Sequence, residues 1–441
     1  MIHNRLVHPT RHAAAVLAAL VVGVVGTPAV AAPVPVQAPP KAGSALVPAV
    51  PVPQRLGANV TTTTDQTPRI VAKLNGRMGA GGLTAAFSGR VSDDHNRTIW
   101  ERGGTTTRMP ASTMKLVTAV TALRSIGKDT RFTTPLLQDP RYRSSLYLKG
   151  VGDPRLTSGN IATMAAAAAT SLKAQGILTV NVKVDDSLFP APTLATGWKS
   201  SYLPGDVAPV RALVVDSRDV ADTSLDAGAI LTAALRARGI GVRSLARLTA
   251  PSGSTQLTSI TSTPLSSIVG SMLNVSQNDY AEILLRVAAI RRGRPATWSG
   301  ATANAVTVLR ENGVGTYGFV MRDGSGLSRS DRMPTATLTS LLFRVALDPD
   351  LTAVMLPRTA LPVAGQTGTL ASRFKVSPYS CAAGRVHAKT GSLADVVTLA
   401  GYAEGTDGVI RPFAFLINGV TSPKSSRLAV DLFATTTTGC Y

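Results

Sequence analysis

Apolar and polar positions change period along this chain, and the changes mark out its elements. In the first third, Met109-Pro110-Ala111-Ser112-Thr113-Met114-Lys115 leads into a helical run. Met114, Leu116, Val117, Val120 and Leu123 supply its apolar positions and Gly127 ends them. Pro110 suits the opening turn, where its missing N–H is not needed. Before this helix, Leu83–Ser88 and Thr98–Trp100 predict two strands joined by a polar turn through Ser92–Asn96. From about Arg131, strand and helix periods alternate. Strands are expected at Leu146–Gly150, Ile177–Val184 and Gly241–Leu248, with helices at Ile161–Gln175 and Ala227–Arg238. Helical spacing returns at Leu265–Leu273, Tyr280–Ile290 and Thr335–Leu347. The chain closes with strands at Arg385–Leu393, Val396–Ala403 and Phe413–Val420, then a helix at Ser426–Phe433. The pattern predicts an α/β (α+β) protein: an antiparallel sheet flanked by helices, formed by residues 69–131 and 263–441. An α/β lobe at 132–262 is inserted into it.

The N-terminus reads differently. Arg5 and Arg11 precede an apolar run from Ala13 to Val25 and then Ala29-Val30-Ala31. A basic start, a short apolar centre and a small-x-small site predict a signal peptide over residues 1–31, with an uncleaved anchor as the alternative. Residues 32–68 are rich in proline, which favours an extended tether. The expected location is therefore secreted or extracytoplasmic, at the cell wall or the outer face of the membrane.

The 441 residues carry a formal net charge of +20, but the basic residues are dispersed and only 5% of residues are aromatic. No basic block interleaved with aromatics is present, so no nucleic-acid partner is expected. Anionic wall polymers or lipid are the surroundings the charge suits, with peripheral association. Of five histidines, three precede Ala13, leaving His95 and His387. A zinc site on paired histidines is thereby nearly excluded, and no metal or cofactor is expected. Two cysteines, Cys381 and Cys440, fit one disulfide in an oxidising compartment, against two free thiols.

Three short motifs carry candidate chemistry. Ser112 and Lys115 stand one helical turn apart, so they share a face. A serine hydroxyl is a weak nucleophile until a base takes its proton, and a desolvated lysine amine at a helix start is such a base. Alone, the pair also fits a capping serine and a solvated lysine. Ser276-Gln277-Asn278 and Lys389-Thr390-Gly391 complete the set. Together they approximate the Ser-x-x-Lys, Ser-Asp-Asn and Lys-Thr-Gly trio of penicillin-binding proteins and class A β-lactamases. Two decoys compete. Ser158-Gly159-Asn160 precedes a helix and is explained by capping; Gln366-Thr367-Gly368-Thr369 lacks the lysine. Asp323-Gly324-Ser325-Gly326 reads by default as a plain turn.

Acyl-transfer chemistry then assigns roles. Ser112 is the nucleophile and Lys115 its base; Ser276 relays a proton to the leaving amine and Lys389 tunes that relay. Asn278 meets substrate peptide groups. Thr390 and Ser392 suit a terminal carboxylate, and Gly391 permits close approach. Backbone N–H groups of Ser112 and Ser392 are the expected oxyanion donors. His387 shares a strand face with Lys389, but this chemistry does not need it.

With Gly150-Val151-Gly152-Asp153-Pro154, Trp198…Pro209-Val210-Arg211, Asn278-Asp279-Tyr280-Ala281-Glu282 and Asp323-Gly324-Ser325-Gly326-Leu327-Ser328-Arg329, the motifs give a wider likeness. The chain resembles the class C low-molecular-mass penicillin-binding proteins, the D-alanyl-D-alanine carboxypeptidase/endopeptidases, over roughly residues 70–441. The resemblance implies a penicilloyl-serine transferase fold like that of β-lactamases and DD-peptidases. It implies removal of terminal D-Ala from peptidoglycan peptides, cleavage of cross-links, and covalent inhibition by β-lactams. The spacing of Ser112 and Ser276 fits one inserted lobe where the family can carry two. Two rivals remain at this stage. A β-lactamase of class A needs a glutamate between the first two motifs, and the glutamates are Glu101, Glu282, Glu311 and Glu404; one of class C would carry Tyr at position 276. A non-catalytic wall-binding or β-lactam-sensing protein would need no nucleophile with its base.

Overall fold

The computed structural model describes residues 65–441. The expected signal segment, and the tether as far as residue 64, lie outside the described residues. The helix Thr67–Gly76 opens the fold, so the last residues assigned to the tether are helical.

The main sheet has five strands, all antiparallel, in the order Val386–Leu393, Val396–Glu404, Ile410–Asn418, Phe87–Ser92 and Thr98–Arg102. Alternation along the strands divides their side chains between two cores. Phe413, Phe415 and Ile417 join one with Phe433 of the last helix, Pro423–Thr437. Ala414 and Leu416 point the other way, into a mainly helical core that contains the Ser112 helix. The register Phe87↔Ile417 ties the first strand to the last. That strand starts at Phe87, later than its sequence suggests. Thr84 Oγ1 donates to Asn418 O and Ala86 N donates to Thr84 Oγ1, so Leu83–Ala86 is spent turning into the ladder.

A second sheet spans residues 133–261, in the order Gly241–Arg247, Thr179–Asp185, Ser145–Lys149, Thr133–Gln138 and Thr255–Thr261. Its first three strands are parallel and the last two run antiparallel to their neighbours. The helices Ser158–Ala174 and Thr223–Arg236 pack on Val180, Val182 and Val184 in a core of their own. The decoy Ser158-Gly159-Asn160 opens the first of these helices. Thr157 caps it, in a capping box with Asn160.

One stretch departs from the expected division. Phe189, Trp198, Val207 and Val210 fall inside the predicted insert, yet they are buried in the helical core of the first domain. Trp198 Nε1 donates to Asp323 Oδ2 at 2.6 Å. Residues from Phe189 to Ala212 therefore help build the first domain, while Leu213 packs in the core of the lobe. Among the described residues, no helix is long and apolar enough to cross a membrane.

Candidate active site

The nucleophile turn is pinned before it is packed. Asn418 Oδ1 accepts from Met109 N at 2.8 Å, and Thr398 Oγ1 donates to Pro110 O at 2.8 Å, so two sheet strands hold the approach to Ser112. Ala111 sits at φ +47, a conformation non-glycine residues seldom adopt. Ser112 follows in a 3₁₀ turn, Ala111–Met114, that runs into the helix Lys115–Ile126. At Gly391 a Cβ would lie 3.0 Å from Ser112 N and 2.9 Å from Pro110 O. Glycine there lets the Lys389 strand close directly on the nucleophile turn.

Lys115 is completely buried. Its Nζ donates to Ser112 Oγ at 2.9 Å, Asn278 Oδ1 at 2.7 Å and Ser325 O at 2.8 Å. Burial pushes its pKa down to about 8, against the opposing pull of the carboxylates of Glu282, Asp323 and Asp279. The three partners suit both protonation states. As an amine, Lys115 keeps two N–H bonds to Asn278 and Ser325 and turns its lone pair to the Ser112 hydroxyl.

Asn278 is therefore less free than its motif suggests. Its Oδ1 holds Lys115, and its Nδ2 donates to Asp206 O at 2.7 Å, leaving one amide proton for substrate. Ser276 caps the helix Leu265–Val275 in the left-handed conformation, φ 65 and ψ 39. Lys389 Nζ donates to Ser276 Oγ at 2.8 Å and to Thr390 O at 2.9 Å. Burial, and then the charge of Lys115, pushes the Lys389 pKa well down. Ser112, Lys115 and Asn278 thus form one hydrogen-bonded group and Ser276 and Lys389 a second, related to the first by the charge of Lys115 acting on Lys389. Thr390, Gly391 and Ser392 follow Lys389 on the sheet's outer strand, where Ser392 is exposed. His387 pairs with Val363 instead, and its Nδ1 is buried without a partner.

The sequence reading missed the floor of the site. Asp323-Gly324-Ser325-Gly326 is no plain turn: Glu282 Oε2 accepts from Gly324 N at 2.9 Å and Glu282 Oε1 from Ser325 N at 2.7 Å. Asp323 accepts from the N–H groups of Gly326 and Ser328. Gly326, at φ +82, passes so close to Ala111 O that no side chain fits. This loop presents the Ser325 carbonyl to Lys115. Glu282 is wholly buried, and its pKa is pushed up to about 8 by burial and by the charge of Asp323. A signal existed: Glu282 lies four residues after Asn278, one helical turn below it. At the rim, Arg329 clamps Asp395 with two bonds of 2.8 Å, tying this loop to the turn beyond Ser392.

Known proteins share this arrangement's scaffold. A model of the D-Ala-D-Ala carboxypeptidase 3 (S13) family matches residues 70–220 and 203–437. The carboxypeptidase DacB of Mycolicibacterium smegmatis is 32% identical over 380 residues, covering 80% of each chain. The crystal structure of penicillin-binding protein 4 (dacB) from Haemophilus influenzae superposes with a TM-score of 0.71. The likeness covers 82% of this chain and 97% of that one at 24% identity, and shows a common fold. The same H. influenzae protein complexed with a novel β-lactam gives a TM-score of 0.66, at 26% identity and the same coverage. A family model spanning most of both sequence segments that build the main sheet, and a relative this similar over four-fifths of the chain, place the protein: it belongs to the D-Ala-D-Ala carboxypeptidase 3 (S13) family.

Proposed function

We propose that this protein is a serine-type D-Ala-D-Ala carboxypeptidase that acts on peptidoglycan stem peptides through an acyl-enzyme on Ser112. The observation that carries the reading is the fully buried Lys115 amine, 2.9 Å from Ser112 Oγ. Lys115 takes the hydroxyl proton as Ser112 Oγ attacks the carbonyl between the two D-alanines. The C–N bond breaks, and the departing D-alanine amine takes the proton released from Ser112, passed on from Lys115 by way of the Ser276 hydroxyl, which Lys389 holds at 2.8 Å, so that Lys115 is a neutral amine again. Water then attacks the ester carbonyl, Lys115 accepting its proton and handing it to Ser112 Oγ as the bond between the acyl carbon and Oγ breaks. Thr390, Gly391 and Ser392 receive the terminal carboxylate, and Asn278 gives its remaining amide proton to the stem peptide. The family description and the carboxypeptidase name of the M. smegmatis relative support this substrate class. The β-lactam complex of the H. influenzae protein supports β-lactams as ligands here, and the strained amide of a β-lactam offers Ser112 a carbonyl to acylate it as the peptide does.

The finer reading adds cross-link cleavage, and secretion to the wall or the outer membrane face on the strength of the N-terminal segment. The test is release of free D-alanine from a diacyl-Lys-D-Ala-D-Ala peptide, together with labelling by a fluorescent penicillin. Both should vanish in Ser112→Ala. Labelling of Ser112 without any D-alanine release would favour a β-lactam sensor, and release surviving Ser112→Ala would remove the mechanism.

A further inference from the structure

The lysine-less decoy Gln366-Thr367-Gly368-Thr369 does not lie elsewhere in the fold. It sits beside the genuine motif: Thr390 Oγ1 donates to Thr369 Oγ1 at 2.8 Å. The strap that carries it is fastened on two sides. On one side it follows the free edge of the Lys389 strand, with Ala388 N donating to Pro362 O at 2.9 Å and Ala364 N to Val386 O at 2.8 Å. It then turns back on itself, through Gly365 N to Leu370 O at 3.0 Å and Val363 N to Thr367 Oγ1 at 3.0 Å. On the other side it meets the end of the helix that precedes Ser276. Asn274 Nδ2 donates to Arg358 O at 3.1 Å. At Gly368, φ +53, a Cβ would stand 2.5 Å from Asn274 O. The strap thus spans the second and third motifs, and delivers one half-buried hydroxyl, that of Thr369, to Thr390.

We infer that Thr369 is a positioning residue for the substrate's terminal carboxylate, acting through Thr390. The inference rests on the reading that Thr390 receives that carboxylate. A threonine hydroxyl has one proton and two acceptor sites, whereas an ionised carboxylate only accepts. In the unliganded site the Thr390 proton is engaged by Thr369. When the carboxylate arrives, that single proton turns to it, and the Thr369 hydroxyl rotates to donate to Thr390 Oγ1. The relay keeps Thr390 bonded on both sides, and each bond polarises the next. Without the Thr369 hydroxyl, Thr390 loses its donor and the fixed direction of its own proton.

The experiment uses two acyl-D-alanyl thioesters, one with a thioglycolate leaving group ending in a carboxylate and one with the matching thioglycolamide. Thioesters are reactive enough for both to acylate Ser112. Thr369→Val should lower kcat/KM on the carboxylate form about fivefold to tenfold, the size of one hydrogen bond between neutral groups. The loss should fall mainly in KM, and the amide form should be unchanged. Thr369→Ser, which keeps the hydroxyl, should restore the carboxylate preference. Thr390→Val is the control for the underlying reading. If it discriminates between the two thioesters but Thr369→Val affects both equally or neither, the role of Thr369 is overturned while the carboxylate subsite stands. If Thr390→Val does not discriminate, the subsite reading fails, and the inference with it.

Discussion

Lys389 Nζ donates to Ser276 Oγ at 2.8 Å, joining the outer strand of the sheet to a helix cap 113 residues earlier in the chain. The pair acts as a unit in the proposed proton relay, so its members should not contribute independently. Ser276→Ala and Lys389→Ala are each expected to slow acylation by a fluorescent penicillin about a hundredfold. The double variant should be little slower than either single one, and a double-mutant cycle on the acylation rate measures this. Fully additive losses would separate the two residues.

The pH dependence of acylation follows from Lys115. With its pKa pushed down to about 8, the amine carries its proton at lower pH and cannot take that of Ser112. The acylation rate should rise with pH, about tenfold per unit, and level off above about pH 8. A pH profile of β-lactam acylation checks this. Lys115→Ala should be slow throughout and lack the inflection.

Glu282 predicts a split between two substitutions. Glu282→Ala leaves the buried N–H groups of Gly324 and Ser325 without their acceptors, at a cost of about 1–3 kcal/mol for each. It also frees the loop that offers the Ser325 carbonyl to Lys115, so acylation should fall with stability. Glu282→Gln should fall between Ala and the native residue, because its amide oxygen keeps one of the two bonds while its NH₂ group faces the other N–H and cannot accept it. Urea unfolding and acylation rates on both variants make the comparison.

Cys381 and Cys440 form a disulfide, with Cα atoms 6.0 Å apart and 59 residues of sequence separation. A closed loop of that length contributes on the order of 4 kcal/mol in the chain-entropy model. Replacing both cysteines with serine should lower the unfolding midpoint while leaving the acylation rate of the folded protein unchanged. Thermal unfolding followed beside penicillin labelling tests both halves.

Legibility in the sequence followed the range of the interaction. Ser112 and Lys115 are one turn apart, and that spacing alone puts them on one face. Asn278 and Glu282 are related in the same way, but what makes Glu282 informative is a loop 42 residues distant. The carbonyl of Asp206 that holds Asn278 is 72 residues away. It lies in a stretch without period, whose place depends on the Trp198 indole meeting Asp323. The strand Thr255–Thr261 reads Thr-Gln-Leu-Thr-Ser-Ile-Thr, an edge strand with no clean alternation, and it gave no signal. The helix Trp298–Glu311 was also missed, its run being broken by Ser, Gly, Thr and Asn. The missing side chain of Gly391 also makes room for the Thr398 hydroxyl and the backbone of Pro110 and Ser112, neighbours that no local pattern reveals.

The order of strands in the main sheet has a consequence for how the protein is made. Phe87–Ser92 pairs with Ile410–Asn418, so the first hairpin has its neighbour only when nearly all of the chain has been synthesised. Until then Met109 lacks Asn418, Pro110 lacks Thr398, and the turn holding Ser112 has nothing to close on. Such distant pairing is slow to form, because the intervening loop must be closed first. A chain stopped before Asn418 would carry the nucleophile and its base, yet lack the sheet that sets them. The nascent polypeptide is thus expected to stay chemically silent until its final strands arrive, and penicillin labelling of truncated copies should find them inert rather than partly active.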